Sequence, residues 1–498
     1  MCRGKGNVFI MPVIHVPKAL KVPFGAGEEQ AEKRPWLRLL VLLLLFLVSL
    51  ALYGVLIANV PPNDVDTDPF VKVWMVCFLP YFVACGFILM TKPATGRWLW
   101  IELGMLFGAA LIFRAVLLPL PPGLSRDAWR YLWDARVTLH GYSPYVYPPD
   151  AKVFAALQDQ IFANMRFRNV PTIYPPGAQA VYLLSYLLAP SNLFVLKGLF
   201  IGFDMVTCVS LAFLLIKRGL DPRRVVIYAW CPLPIVEFAI QGHVDVITLP
   251  FLLLTVLCAL STRRGARVLT GFLIGIATLT KIYPIFLLVV VVRRRDWALV
   301  VTCLLTIVVG YLPYYILSNG QIFGYFSAYA SEQGGNGGVI QVVLYNFYAL
   351  HHARLAAIIT VEHMVDVFVV VIASLVVFLL RVRKRISMEA ASMVLIGVIF
   401  AISSHVFPWY AAALLPWIAV LIVPVHRGRE LIGKGIAVAT AWYFVCISPI
   451  SYFYTRYPGW LWQGYYVTVY CGVVAFLAIA AFTGVMHLFA QKRTVTDL

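Results

Sequence analysis

Apolar runs of membrane-spanning length recur along this chain, and they leave few folds open to it. A helix needs roughly 20 apolar residues to cross the hydrocarbon of a bilayer. Runs of that order lie at 36–58, 72–91, 99–118, 192–216, 298–317, 360–380, 435–454 and 464–488. Shorter or broken apolar segments occupy 177–190, 225–241, 244–260, 268–292, 390–404 and 410–425. Only 12% of the residues are charged, about half of the ~25% usual in a soluble domain. Lipid offers no partner to a backbone N–H or C=O, so such a chain must satisfy them internally as helices. The expectation is an all-α polytopic membrane protein, a bundle of about 11–13 transmembrane helices by the length of its apolar runs.

The net charge of +18 does not point to nucleic acid. The basic residues stand in short clusters between apolar runs: Lys217-Arg218 with Arg223-Arg224, Arg263-Arg264, Arg293 to Arg295, and Arg381 to Arg385. That is the pattern of cytoplasmic loops, which orients helices and attracts anionic lipid. The acidic connection Asn63 to Asp68 reads as the opposite side. Residues 1–35 mix Lys, Pro and Gly without a signal-peptide pattern and are expected as a loosely ordered cytoplasmic arm. The membrane domain is then 36–488, and 489–498 a short tail. Parity fails at one place: 268–292 is long enough for one crossing, yet basic clusters flank it on both sides. Either it is a re-entrant pair broken near Lys281, or one cluster faces outward. The nine cysteines stand alone, without Cys-x-x-Cys, and read as buried thiols.

One long polar interruption falls on the outer side by this count, from Pro119 to Ala178. Loops beyond about 12–15 residues are uncommon unless functional or disordered, and this one is too aromatic for disorder. A helix over 126–136 sets Asp127, Arg130, Tyr131 and Asp134 on one face, at i, i+3, i+4 and i+7, with Ser125 as a candidate cap. The plain alternative is an Asp–Arg–Asp ladder anchoring a surface helix. Trp129 and Trp133 form an aromatic stripe on another side, suited to the head-group level.

Other charges at membrane depth are few, and such charges tend to be functional. Glu237, His243 and Asp245 lie between two half-length apolar runs, either as a polar turn or lining the same cavity as Asp127. Lys281, beside Tyr283, is either a lysine snorkelling to an interface or a phosphate-binding point charge. His405 precedes Phe407-Pro408-Trp409-Tyr410. Asp204 and Arg114 are single charges inside longer spans. The glycine-rich Glu332 to Gly338 lacks a P-loop's Lys-Ser/Thr ending and reads as an outer loop.

In order along the chain, Arg126-Asp127-x-x-Arg130-Tyr131-x-Trp133-Asp134-x-Arg136, Gly141-x-Ser143-Pro144-Tyr145, Tyr174-Pro175-Pro176-Gly177, Gly242-His243-Val244-Asp245, Lys281-Ile282-Tyr283-Pro284 and Pro408-Trp409-Tyr410 resemble the motifs of GT-C-fold glycosyltransferases that use polyprenyl-phosphate sugars. The string is most similar to the bacterial mannosyltransferases of glycosyltransferase family 87 and their alpha-1,6-mannosyltransferase relatives, over roughly 99–425. Ala135 stands where such proteins often carry glycine, and no motif matches beyond about 430.

The resemblance implies a GT-C-like bundle whose loop 119–178 carries short juxtamembrane helices and the catalytic site. It implies a multi-pass protein of the bacterial inner membrane with its active site on the extracytoplasmic face. The reaction implied is inverting transfer of a hexose, mannose by the resemblance, from a polyprenyl-phosphate donor to a hydroxyl of a glycolipid or glycan. Asp127 matches the position of the family's general base; Asp134 and Asp245 are its rivals. Arg130, Tyr131, Asp134, His243 and Asp245 are expected around sugar and acceptor, and Lys281, Tyr283 and His405 around the donor phosphate. No metal or other cofactor is expected, since the lipid phosphate is already a good leaving group. Partners would be the two substrates and membrane lipid, with no nucleic acid. A secondary transporter, which also uses broken helices with midplane charges, and a lipid-linked glycan flippase or ligase remain the competing classes.

Overall fold

In a computed structural model of the chain, the described residues are 35–61, 67–92, 96–331, 337, 338, 340, 355–423 and 435–454, with isolated positions beyond. The expected arm at 1–35, the crossing at 464–488, the tail, and most of the acidic and glycine-rich connections lie outside them. Among the described residues there are helices and no strands. Three long helices open the fold: α1 (Pro35–Ala58), α2 (Asp68–Met90) and α3 (Arg97–Leu117). The outer loop holds α4 (Asp127–Leu139), α5 (Gln160–Asn164) and α6 (Pro176–Leu188), followed by the long α7 (Leu193–Lys217). Next come α8 (Val226–Ala229), α9 (Pro232–Ala239), α10 (Thr248–Ala259), α11 (Ala266–Thr280), α12 (Leu287–Val291) and α13 (Trp297–Leu317). The described residues continue through α14 (Phe326–Ser331), α15 (Leu355–Val382), α16 (Met388–Ile402), α17 (Leu415–Leu421), α18 (Ile436–Ile447) and α19 (Ser451–Tyr454).

Seven of these helices are long and apolar enough to cross a membrane, and eight if α9 and α10, bent by 109° at their junction, are one span. Three shorter apolar segments, Ala266–Thr280, Met388–Ile402 and Pro408–Leu421, together with the unassessed 464–488, account for the larger number expected from the sequence. The outward faces are apolar: Leu44, Val308 and Val367 are exposed, as a lipid-facing surface requires. The seven cysteines among the described residues are all free thiols.

Ion pairs tie one end of the bundle together. Arg38 meets Glu102 at 3.0 Å, and Arg223 meets Glu102 at 2.9 Å. Arg223 also donates to the Thr91 carbonyl at 3.0 Å, so the start of α1, the end of α2, the start of α3 and the segment after α7 share this end. Arg218 pairs with Glu389 at 2.5 Å, Arg381 donates to Val290 O at 2.9 Å, and Arg293 to Ala259 O at 2.8 Å. The basic clusters therefore gather on one side.

This settles the parity problem. Arg267, at the start of α11, pairs with Asp296 and donates to Val291 O at 2.8 Å. Entry and exit of 266–296 lie together, and Lys281 sits at the far tip in extended conformation (φ −148°, ψ 146°). The segment is a hairpin, and both of its basic clusters face the same way.

The same device occurs twice more. From Arg224 the chain climbs through α8 and α9, turns at Gly242 (φ +69°), and descends through Val244–Ile247 and α10. From Glu389 it climbs α16, turns at 403–407, and descends through Pro408–Leu414 and α17 to Ile422, whose carbonyl accepts from Arg224 at 3.1 Å. Each descending arm starts with a 3-10 turn; Pro408 is the first residue of one and Pro284 the second of another, where a missing N–H costs nothing. Close helix approach depends on small residues, as between membrane helices generally: a Cβ on Gly271 would lie 2.2 Å from Leu299 O, and one on Gly177 2.8 Å from Leu279 O.

The two charges isolated in the sequence prove to be partners. Arg114 Nε meets Asp204 at 2.6 Å, Tyr228 donates to the same carboxylate at 2.5 Å, and Arg114 also donates to Ala110 O and Ala229 O. All three side chains are buried. Removing one member leaves an uncompensated charge, which costs about 3–5 kcal/mol. Asp204→Leu or Arg114→Met should each lower the unfolding midpoint in detergent by several degrees, and the double variant should recover part of the loss. Additive losses in the double variant would contradict this pairing.

Candidate active site

The three hairpin tips and the outer loop meet at the end opposite the basic clusters. Between them lies a cavity of about 430 Å³. From α4 and the residue before it come Arg126, Asp127, Arg130 and Tyr131; the outer loop adds Arg166 and Thr172. The tips contribute Asp245, Lys281 and His405. Tyr325 and Tyr329, from the stretch after α13, and Tyr452 of α19 complete the wall.

Helix α4 begins one residue later than the sequence predicts. Arg126 is the cap position, and the Ser125 hydroxyl accepts the Asp127 N–H at 3.3 Å. Asp127 thus sits in the first turn, where the helix dipole favours a carboxylate. Burial nevertheless pushes its pKa up, opposed by His243, Ser125, Lys281 and Arg166.

Asp134 has a different position. It is fully buried and absent from the cavity wall. It accepts from Arg130 Nε at 2.7 Å, Thr172 Oγ1 at 2.6 Å and Gln179 Nε2 at 3.0 Å. Arg130 is held on its other side by Phe167 O at 2.8 Å. The i,i+4 pair expected on this face is therefore a clamp joining α4, the 165–172 segment and α6. Tyr131 stacks on Tyr182 at 4.5 Å and meets Tyr174 edge-on at 5.0 Å. Trp133, expected at the head-group level, is instead buried against Phe154 and Phe162, with centroids at 5.8 and 5.6 Å. The loop folds back over α4, and the indole is packed into a core that continues into the bundle.

Lys281 Nζ lies 3.1 Å from Asp245 Oδ1 and 4.2 Å above the Tyr410 ring. The Lys281 side chain is 18% exposed and Asp245 8%, so the pair is largely desolvated yet open to the cavity. Thr248 and Thr280 hydroxyls, 2.8 Å apart, bind the same two tips just below it. His243 does not line the cavity. It lies one layer behind, its Nδ1 2.8 Å from Glu237 and its ring stacked 3.6 Å from Trp409. Tyr283 is also off the wall: it borders a separate apolar crevice with Leu252, Leu395 and Ile399, because the 3-10 turn after Lys281 rotates it away. Tyr410 takes the place beside the ammonium that sequence adjacency gives to Tyr283. His405 stacks on Tyr329 at 4.4 Å, with Ser404 Oγ 3.0 Å from its Nδ1.

Sequence reasoning singled out neither Arg166, Tyr329 nor Tyr452 as a wall residue. Tyr325 and Tyr329 stand one helical turn apart, a signal available in the sequence. Tyr452 lies beyond the last recognisable motif; its hydroxyl reaches Glu237 at 3.2 Å.

Comparison with known proteins places this site in a class. The profile of Glycosyltransferase family 87 matches residues 172–408, a stretch that contains the first two hairpins and the ascending arm of the third. The match is to a family of glycosyltransferases, and it falls within a polytopic helical fold. Among solved structures, the chain is similar to ArnT from Cupriavidus metallidurans bound to undecaprenyl phosphate, at 18% identity and a TM-score of 0.42, over 79% of this chain and 72% of that one. No curated protein matches. The family match begins at Thr172, so the role of α4 rests on its geometry.

The geometry separates two carboxylates of one helix. Asp134→Leu strips a buried arginine of its partner and should cost about 3–5 kcal/mol of stability. Asp127→Asn, on the cavity wall, keeps the side-chain volume and removes a desolvated charge, and should cost markedly less. Unfolding of the two variants in detergent measures the contrast, and equal losses would refute it.

Proposed function

We propose that the protein is an inverting glycosyltransferase. It moves a hexose, mannose by motif resemblance, from a polyprenyl-phosphate donor to a hydroxyl of a glycolipid or glycan acceptor. The observation that carries this reading is a single cavity bounded by the Asp127 carboxylate on one element and the Lys281 ammonium on another. The family match supports glycosyl transfer. The basic clusters at the far end support an extracytoplasmic cavity in the inner membrane, by the rule that Lys and Arg mark cytoplasmic loops.

Asp127 acts as general base. It takes the proton of the acceptor hydroxyl as that oxygen attacks C1 from the face opposite the phosphate. The C1–O bond to phosphate breaks, its electron pair leaves with the polyprenyl phosphate, and the anomeric configuration inverts through an oxocarbenium-like transition state. Lys281, aimed by Asp245 and backed by Tyr410, meets the charge that grows on the phosphate, with His405 beside it. Arg130, fixed by Asp134, and Tyr131, fixed by its stack, shape the acceptor side. The reaction so drawn is metal-independent, and a chelator should leave the rate unchanged.

Purified protein given radiolabelled polyprenyl-phosphate-mannose and a panel of lipid-linked acceptors tests this. Asp127→Asn should lower transfer about 10²–10⁴-fold, the usual worth of a general base, while donor binding persists. Full rate in Asp127→Asn with loss in Asp245→Asn would overturn the assignment.

The pH profile has a definite sign. A base works only when ionised, so the rate should fall as pH drops through the Asp127 pKa, which lies above the ordinary carboxylate value. Arg166→Gln removes a nearby positive charge that favours the ionised form. Its acidic limb should move to higher pH; a limb unmoved or moved lower would refute the placement.

A further inference from the structure

The residues that hold Asp127 in place come from the first hairpin tip. Leu118 and Leu120 donate back to Arg114 O and Leu117 O, and the irregular stretch beyond them draws on side chains for its backbone groups. Gln241 is fully buried, and its Oε1 accepts the N–H groups of Leu124 at 2.9 Å and Ser125 at 3.3 Å. Ser125 then offers its hydroxyl to the Asp127 N–H. A few residues upstream, the buried Lys197 donates to Leu120 O at 2.5 Å and reaches Ile240 O at 3.5 Å. The tip is pressed against α4: a Cβ on Gly242 would lie 3.3 Å from Ala128 Cβ and 3.1 Å from Lys197 Cγ. A side chain there would crowd both neighbours and strain a left-handed backbone (φ +69°), and the turn of Gly242 sends Gln241 towards the loop and His243 away from it.

Resting on the transferase reading above, we infer that Gln241 is a positioning residue for the reaction: its side-chain oxygen sets the register of Ser125–Asp127 and so fixes the base relative to the phosphate-binding lysine. The same tip carries Asp245, four residues on, which holds Lys281 at 3.1 Å. One short segment thereby grips both the loop that presents the base and the cation that meets the leaving group. The span across which attack must occur is set within 241–245 and does not depend on the long, indirect path of the chain from Asp127 to Lys281.

What the fold uses is the accepting oxygen. Gln241 Nε2 has no hydrogen-bond partner among the described residues, so a carboxylate in its place gives up no bond. Gln241→Leu keeps the bulk and removes the acceptor. A displacement of about 1 Å in a reacting group can cost ~10²-fold in rate.

Steady-state transfer by the full-length protein, with polyprenyl-phosphate-mannose as donor, discriminates. Gln241→Leu should lower kcat by about 10²-fold while the KM for donor and the binding of polyprenyl phosphate stay within about twofold. Gln241→Glu should retain most of the wild-type kcat. A wild-type kcat in Gln241→Leu overturns the inference, and so do equal losses in Leu and Glu or a loss of donor binding in parallel with rate. Should Gln241→Leu not fold, a crippled but folded Gln241→Glu overturns it alone, and an active one sustains it. Absence of transfer by the wild-type protein would instead sink the transferase reading, leaving the two failures distinct.

Discussion

A helix that ends inside a membrane must hand its last carbonyls, and the first N–H groups of whatever follows, to partners within the protein. That requirement governs this fold. Three helices stop short of a full crossing, turn, and descend as 3-10 segments. Their turns are possible only where other parts of the chain cover them. Lys197 serves the first tip, whose Gln241 in turn caps the loop at Leu124 and Ser125, the Thr248–Thr280 hydroxyl pair joins the first to the second, and Ser403 Oγ donates to the His405 carbonyl at 2.8 Å in the third. Because the turns need burial in polar company, they converge, and their convergence forms the cavity. The polar end of the molecule follows from the cost of ending helices in lipid.

The electrostatics of the cavity follow from that arrangement. Charges near it are already committed: Arg130 to Asp134 and Lys281 to Asp245. Pairs of this kind contribute little net stability after desolvation, but each fixes the direction of a charge. A preoriented ammonium stabilises developing charge without reorganising as the reaction proceeds. Asp127 has the opposite character: it sits on the wall with a raised pKa, ready to change protonation state.

Much of this was legible in the sequence. The apolar runs located the helices to within a few residues, and the half-length runs at 225–260, 268–292 and 390–425 marked the hairpins. The side on which 268–292 returns was not legible, because it depends on Arg267 meeting Val291 and Asp296 across the fold. Periodicity placed Asp127, Arg130 and Tyr131 on one face, which the structure turns to the cavity. It did not separate Asp127 from Asp134, since both obey the same spacing and only burial beneath Thr172 and Gln179 distinguishes them. Neighbours in sequence also misled: Tyr283 follows Lys281 closely, yet a 3-10 turn carries it to another surface. Trp133 read as interfacial because one helix gives no sign that the loop folds back over it and buries it.

The central claim is that Asp127 and Lys281 flank one reaction path. It is tested most directly by an experimental structure with a non-hydrolysable polyprenyl-phosphate-sugar analogue bound. The account predicts the phosphate in the cavity, within about 3 Å of Lys281 Nζ as a charge-assisted hydrogen bond requires, with C1 turned towards Asp127. A phosphate bound away from Lys281, or a sugar whose C1 faces away from α4, would contradict it.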